Sequence, residues 1–536
     1  MLLSDLDELE DILDSIVPVA AAGEEEPFYF NEDEEYDIIE NVMQLMYEYV
    51  EENPCEVSEP DFHECMIESI KELYSPMIAP EIYSVNLSNA SFFVERDKIH
   101  EDFDELIDIA ADLFYKQIMP HRSFPTTFVR SVAPSPEKLA HLKVKLDYLA
   151  SKPQPQQRTD EWYKFRHNLI TASNAFKAFE NANTQNQLIY EKCQPIGAQG
   201  DKFSYVNVDT PFHWGQKYEP VSVMYYESEY NTRVGDFGCI QHGQFSFLGA
   251  SPDGINNDPS HPHRFGRMLE IKNIVNREID GIPKKEYWIQ MQLQMETCDL
   301  DECDFLETRF QEYETEAEFL EDGDDFTKTE KGDWKGVIMY FSTPEGRPHY
   351  VYKPLAMDFN EGEKWCEHKM EELCKTRVDE NGIKRVGMCW IKNIFWHLEE
   401  VSCVLVLRNK MWFNANIGQL ERVWRTIEKE RISGDFAHRA PNKRSKKIEL
   451  PMQVNKIENY FNLGESFKPT NSGSGCLIPL PNGSNANANA NANANSGGVG
   501  NSYRSRENSL IDEEKNGANT VIKIRTESID ETKKLL

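Results

Sequence analysis

Residues 251–272 hold a turn and a strand whose side chains leave little freedom of arrangement. Ser251-Pro252-Asp253-Gly254 is a turn carrying one carboxylate, and Met268-Leu269-Glu270-Ile271-Lys272 is a short apolar strand with a carboxylate and an ammonium at alternate positions. Side chains two apart on a strand share a face. Glu270 and Lys272 should therefore lie side by side, with Leu269 and Ile271 turned into the core. The Ser-Pro turn can end a preceding strand and aim Asp253 back at Glu270. Two carboxylates and a lysine suffice for metal-assisted phosphodiester hydrolysis. The acids hold a hard divalent cation through oxygen, the metal activates a water, and the lysine orients that water or neutralises the developing oxyanion. Taken alone, such a strand is more often a solvated face with an ion pair, so the surroundings must decide.

A chain of 536 residues, 40% hydrophobic, has material for more than one domain and a sizeable core. Its net charge of −35 argues against a lysine-coated, nonspecific nucleic-acid binder but leaves room for a local basic groove. No stretch approaches the ~20 apolar residues of a membrane-spanning helix, so no membrane association is expected. The start, Met1-Leu2-Leu3-Ser4-Asp5 followed by Asp7, Glu8, Glu10 and Asp11, lacks the basic opening of a secretory signal. The 11 cysteines are scattered, with Cys298 and Cys303 the closest pair and no C-x-x-C. Reduced thiols in a soluble intracellular protein are the expectation.

Residues 1–150 read as an acidic helical accessory region. Leu6, Leu9, Leu13 and Ile16 follow a capping Ser4 at helical spacing; Ile38, Ile39, Val42, Met43 and Met46 make a second helix, and Phe103, Leu106, Ile107, Ala110 and Leu113 a third. After a linker at 151–157, mixed helix and strand signals run to about 360. Asp160 to Arg166 is helical, two strands flank a turn at Gln241-His242-Gly243-Gln244, Tyr287 to Met295 is helical, and Cys303 to Thr308 is a strand. Val337 to Phe341 and His349 to Tyr352 form a hairpin. Residues 361–440 read as a helical extension, and 441–536 as a basic linker with a low-complexity, disordered tail.

The order of these pieces is similar to the YqaJ and lambda-exonuclease family of PD-(D/E)xK nucleases. Ser251-Pro252-Asp253-Gly254 resembles the PD element, Leu269-Glu270-Ile271-Lys272 the ExK element, and Trp214-Gly215-Gln216-Lys217-Tyr218-Glu219 the upstream acid motif. Tyr287 to Met295 resembles the helix with a Q-x-Q pair, and Asp160 through Ser173 the element gripping a 5′-phosphate. The resemblance covers roughly residues 157–355 and implies an α/β fold: a restriction-endonuclease-like core with a mixed central sheet flanked by helices, plus the helical N-terminal region. It implies a Mg²⁺- or Mn²⁺-dependent deoxyribonuclease acting at duplex DNA ends, 5′-to-3′, in recombination, repair or defence. An endonuclease on the same core, or an inactive scaffold of a replication complex, are the alternatives. The implied ligands are Asp253, Glu270 and the Ile271 carbonyl, with Glu219 direct or through water; Lys272 and Gln292 handle the water, and Arg166, Ser173, Ser251 and Gln290 contact phosphate. One departure concerns a further acid that the family carries about ten residues before the PD aspartate; here that region is His242-Gly243-Gln244, which bears on a second metal site, and His242 could stand in. The Asn-rich tail fits a giant-virus member, located in infected-cell cytoplasm or the virion. The family includes homo-oligomers. A segment at 450–465, with Ile457, Tyr460 and Phe461 on one helical face, could dock a replication or recombination partner.

Overall fold

The computed structural model describes residues 29–84, 91–129, 134–155, 159–196, 207–323, 326–378 and 384–441, with backbone alone at 75–84, 91–97, 377–378 and 384–385. The expected Leu6–Ile16 helix, the basic linker, the low-complexity tail and the 450–465 segment lie outside the described residues.

Four helices come first: α1 (Glu32–Glu52), α2 (Phe62–Ser84), α3 (Ser91–Gln117) and α4 (Pro136–Ser151). Asn31 caps α1 in a reciprocal box with Glu34, which satisfies two otherwise orphaned backbone donors. The i, i+3, i+4 stripe read from the sequence is the buried one: Val42, Met43 and Met46 pack with Leu106, Ile107 and Ala110 of α3. Then follow α5 (Asp160–His167), β1 (Ile170–Thr171), α6 (Ala172–Ala175), α7 (Ala182–Cys193) and α8 (Pro211–Glu229). The next run is β2 (Val234–Gly235), β3 (Ile240–Gln241), β4 (Leu248–Ala250), β5 (Gly254–Asn256), β6 (Met268–Asn273), α9 (Lys285–Cys298) and β7 (Glu302–Glu312). The last is α10 (Glu316–Glu321), β8 (Lys335–Ser342), β9 (Pro348–Tyr352), α11 (Phe359–Cys374), β10 (Arg377–Val378), β11 (Lys384–Arg385), β12 (Cys389–Leu407) and α12 (Lys410–Ser433).

Seven strands form the main sheet in the order β2-β5-β6-β7-β12-β8-β9. Only β6 and β7 run parallel, and α9 makes the crossover between them, as a parallel connection requires. Alternation along β6 decides what each face receives. Met268 joins the apolar cluster that includes Ile289 and Leu293 of α9. Leu269 and Ile271 join Tyr218, Val221 and Tyr225 of α8 on the other side. The sheet is thus covered on both faces, the mixed α/β arrangement expected. A second, three-stranded sheet of order β1-β4-β3 supports the start of the site.

The 361–440 stretch corrects the sequence reading, which expected helices throughout. Its 19-residue strand β12 lies between β7 and β8 in the centre of the sheet. Ile394, Trp396 and Leu398 alternate as core residues, and Val404, Leu405 and Val406 are buried as a run because both faces there are covered. The chain up to Asn442 forms one compact unit rather than parting at 150 and 360. The N-terminal helices are stitched to the rest: the Trp288 indole donates to the Arg122 carbonyl at 2.8 Å, and Phe124 and Thr127 amides donate to the Leu405 and Cys403 carbonyls at 2.9 and 2.8 Å. Among the described residues no helix is long and apolar enough to cross a membrane, and ten cysteines are unpaired.

Candidate active site

Gly254 opens β5 against β2 so closely that a Cβ there would stand 2.0 Å from Val234 Cγ1. That contact fixes the preceding turn, and the turn aims Asp253 at β6. Asp253 Oδ2 accepts from the Ile271 amide at 2.8 Å. Glu270 is wholly buried on the α9 face of the strand. Its Oε1 accepts from Lys272 Nζ and, at 2.7 Å, from Gln290 Nε2; its Oε2 accepts from Gln294 Nε2 at 2.7 Å. Three donors therefore hold one carboxylate in a single orientation. The Lys272 ammonium lies 4.9 Å from the centroid of the Tyr287 ring.

The electrostatics follow from this crowding. Burial, then the charge of Glu270, push the Asp253 carboxyl well above its ordinary range; Lys272 opposes and Glu219 adds to the rise. Burial works against the Lys272 ammonium, but Glu270 and Asp253 override it and hold the amine protonated. Oxygen donors packed this tightly are relieved by a cation. An all-oxygen set suits a hard divalent ion, so the residues present fit the expected metal. Among the described residues no three His, Cys, Asp or Glu side chains converge at ligand distance. The arrangement offers two adjoining carboxylates, with Glu219 acting on Asp253 from a separate helix.

Glu219 comes from α8, whose start is capped by Thr210 Oγ1 accepting from the His213 amide at 3.1 Å. Lys217 on the same helix is buried against Glu312 of β7, and the Tyr218 hydroxyl donates to that carboxylate at 3.0 Å. Asn273, at the end of β6, donates to the Gly215 carbonyl at 2.9 Å. These contacts fix the register of the acid-bearing helix against β6.

Arg166 ends α5 and turns back over Trp162, with its guanidinium 4.7 Å from the ring centroid. Its Nη2 lies 3.4 Å from both Thr171 Oγ1 and Ser173 Oγ. Two hydroxyls and an arginine that has no carboxylate partner among the described residues form a pocket for an anion. One cleft of about 1720 Å³ is lined by Arg166, Ser173, Glu219, Ser251, Asp253, Glu270, Ile271, Lys272 and Gln290. Every predicted site residue except Gln292 shares it.

Gln292 points away from the cleft. Its Nε2 donates to the Leu407 carbonyl at 2.9 Å and its Oε1 accepts from the Asn409 amide at 2.7 Å. Residues i and i+2 on a helix diverge by ~200°, whereas i and i+4 share a face. The pair aimed at Glu270 is accordingly Gln290 and Gln294, and that spacing was the available signal for Gln294. His242 is also elsewhere. Its Nδ1 accepts from the Gln244 and Phe245 amides at 3.0 and 3.1 Å, and its ring stacks on Phe413. Burial pushes its pKa down to about 4. An acid that does line the cleft upstream of Asp253 is Asp236. Phe212, 77% exposed, and Arg347 of the β8–β9 turn line it as well; nothing in the sequence around either marked it.

Residues 161–301 match the YqaJ-like viral recombinase domain. A relative, an uncharacterized protein of Acanthamoeba polyphaga mimivirus, is 28% identical over 421 residues, 72% of this chain and 71% of that protein. Two crystal structures of the alkaline exonuclease LHK-Exo are also similar. The one in complex with dAMP is 17% identical, covering 51% of this chain and 95% of its own, at a TM-score of 0.29. The one described as from Laribacter hongkongensis is 18% identical, covering 52% and 94%, at a TM-score of 0.28. The acid, PD and ExK motifs all fall within the matched 161–301; β8, β9, β12 and α12 lie beyond it.

Proposed function

We propose that the YqaJ-like viral recombinase domain of this chain is a metal-dependent DNA nuclease that hydrolyses phosphodiester bonds at duplex ends, in the 5′-to-3′ sense. The observation that carries this reading is the convergence of Asp253, Glu270 and Lys272 on adjoining strands in the cleft that also holds Arg166. Asp253 and Glu270, with the Ile271 carbonyl, are the residues that would hold Mg²⁺ or Mn²⁺. Such a cation supplies an activated water and charge neutralisation at the scissile phosphate. Lys272, kept protonated by its two acidic neighbours, orients the attacking water and answers the oxyanion charge. Gln290 and Gln294 hold Glu270 in place. Glu219 adds negative charge on the far side of Asp253. Arg166, flanked by Thr171 and Ser173, takes a terminal 5′-phosphate, and Ser251 at the mouth of the turn adds a neutral hydrogen bond.

The test is digestion of end-labelled linear duplex beside covalently closed circular DNA, with and without Mg²⁺. Metal-dependent release of nucleotides from the 5′ end, with circles intact, is expected. Nicked or linearised circles would establish the endonuclease alternative, and no hydrolysis of either substrate with metal would overturn the reading.

A further inference from the structure

Behind Arg166 stand two more basic side chains that the nuclease chemistry leaves without a task. Lys192, on α7, is 8% exposed, and its Nζ donates to the Arg166 carbonyl at 2.8 Å. Arg431 reaches in from α12. It donates to the carbonyls of Lys192 at 2.8 Å and of His167 at 2.6 Å, and its guanidinium lies over the Trp424 ring. Among the described residues none of the three basic groups is ion-paired with a carboxylate. The acid beside them, Glu191, is taken by Lys177 at 2.9 Å. Three neighbouring basic groups with no carboxylate among them stand out in a chain of net charge −35, because holding all three charged while buried and crowded is costly without a counter-ion. An anion in the Arg166 pocket would supply one.

We propose that Lys192 and Arg431 are positioning residues that make this pocket select a doubly charged terminal phosphate, and that filling the pocket drives a proton onto Lys192. The inference rests on the terminal-phosphate role of Arg166. The groups facing Lys192 are Arg166 and His167 from α5, Glu191 from α7, Cys239 ahead of β3 and Arg431 from α12. Burial first, then Arg166 and Arg431, bring the Lys192 amine down to about 7, against a smaller opposing pull from Cys239 and Glu191. His167 is pushed below its usual value by burial and Arg431, so it is neutral in the same range. In the empty pocket Lys192 is therefore largely neutral at pH 8. A phosphate dianion favours its ammonium form, so binding takes up a proton. A phosphomonoester has its own second pKa near ~6 and takes up none at pH 8. An internal phosphodiester, with one negative charge, gains less from the cluster.

The full chain in chelator-containing buffer is titrated with 5′-phosphoryl and 5′-hydroxyl duplexes of one sequence. Calorimetry at pH 8 in buffers of different ionisation enthalpy counts protons, and fluorescence anisotropy gives Kd from pH 6.5 to 9. We expect the 5′-phosphoryl duplex to take up close to one proton more than the 5′-hydroxyl form. Its binding advantage should shrink by up to about tenfold per pH unit above neutrality. In Lys192→Met the extra proton and the slope should both vanish. A 5′-phosphate advantage that is independent of pH, with no proton uptake by the unmutated chain, overturns the inference and leaves the Arg166 pocket standing. Equal binding of both duplexes at every pH removes the pocket itself. Because the unmutated chain alone gives the proton count, the test survives even if Lys192→Met does not fold.

Discussion

Gln294→Met and Gln292→Met separate the catalytic face of α9 from its structural face. The two residues are two positions apart on one helix, and both are buried. Among the described residues Gln294 is the only amide donor to Glu270 Oε2, while Lys272 and Gln290 share Oε1. With methionine at 294 the volume is kept and one oxygen of a buried carboxylate loses its donor. Hydrogen bonds to charged groups are worth about 1.5–3 kcal/mol. At 1.36 kcal/mol per decade that is a loss of roughly 10- to 150-fold in single-turnover rate, and the orphaned carboxylate oxygen should also cost the folded state about 1–3 kcal/mol. Gln292→Met strips partners from a half-buried carbonyl at Leu407 and a buried amide at Asn409. Each orphan costs about 1–3 kcal/mol, so the folded state should lose about 2–6 kcal/mol while turnover at 25 °C stays near normal. The assay is single-turnover cleavage of end-labelled duplex, paired with urea unfolding of the same preparations. Gln294→Met retaining turnover within threefold, or Gln292→Met losing activity while fully folded, would refute this division of the helix.

Three further outcomes follow from the same geometry. Asp253→Ala, Glu270→Ala and Lys272→Ala should each lower hydrolysis by several decades without unfolding the chain, and chelation of divalent ions should do the same to the unmutated protein; near-normal cleavage by any of them would dismantle the site. Arg166→Ala should erase most of the rate advantage of 5′-phosphoryl over 5′-hydroxyl ends, read by parallel digestion. Asp304, fully buried beside Arg264, Arg267 and the Tyr226 hydroxyl, should cost about 3–5 kcal/mol in stability as Asp304→Ala, because the buried Arg264 guanidinium loses its counter-charge and Arg267 is left with Glu302 alone; a denaturant midpoint close to that of the unmutated chain would contradict that.

Short-range periodicity made much of the site readable. The two-residue repeat of β6 put Glu270 beside Lys272, and the Ser-Pro turn aimed Asp253 at the same strand, because both depend on neighbours within a few residues. The acid-bearing α8 was readable for the same reason, from Trp214 through Glu219. What failed were relations that need a partner far along the chain. Gln292 was preferred over Gln294 because the helical phase of α9 relative to β6 is set by packing, not by the motif. The strand β12 was read as helix although Ile394, Trp396 and Leu398 alternate, since the gap it fills lies between β7 and β8, strands that end at Glu312 and Ser342. Arg431 carried no sign of its place behind Arg166, because that contact spans more than two hundred residues.

The central position of β12 sets a timetable for synthesis. β6 and β7 leave the ribosome more than seventy residues before Cys389–Leu407. Until then the open edge of β7 presents unpaired backbone groups and a row of apolar side chains to the cell. Such an edge recruits other strands, and pairing over so long a separation is slow. A nascent chain of this kind needs a holding factor or a slow-folding interval that keeps β7 covered. A clone ending near residue 301, where the family match stops, would lack β7, β8, β9 and β12 altogether, leave the edge of β6 open, and accumulate as aggregate rather than as a smaller nuclease.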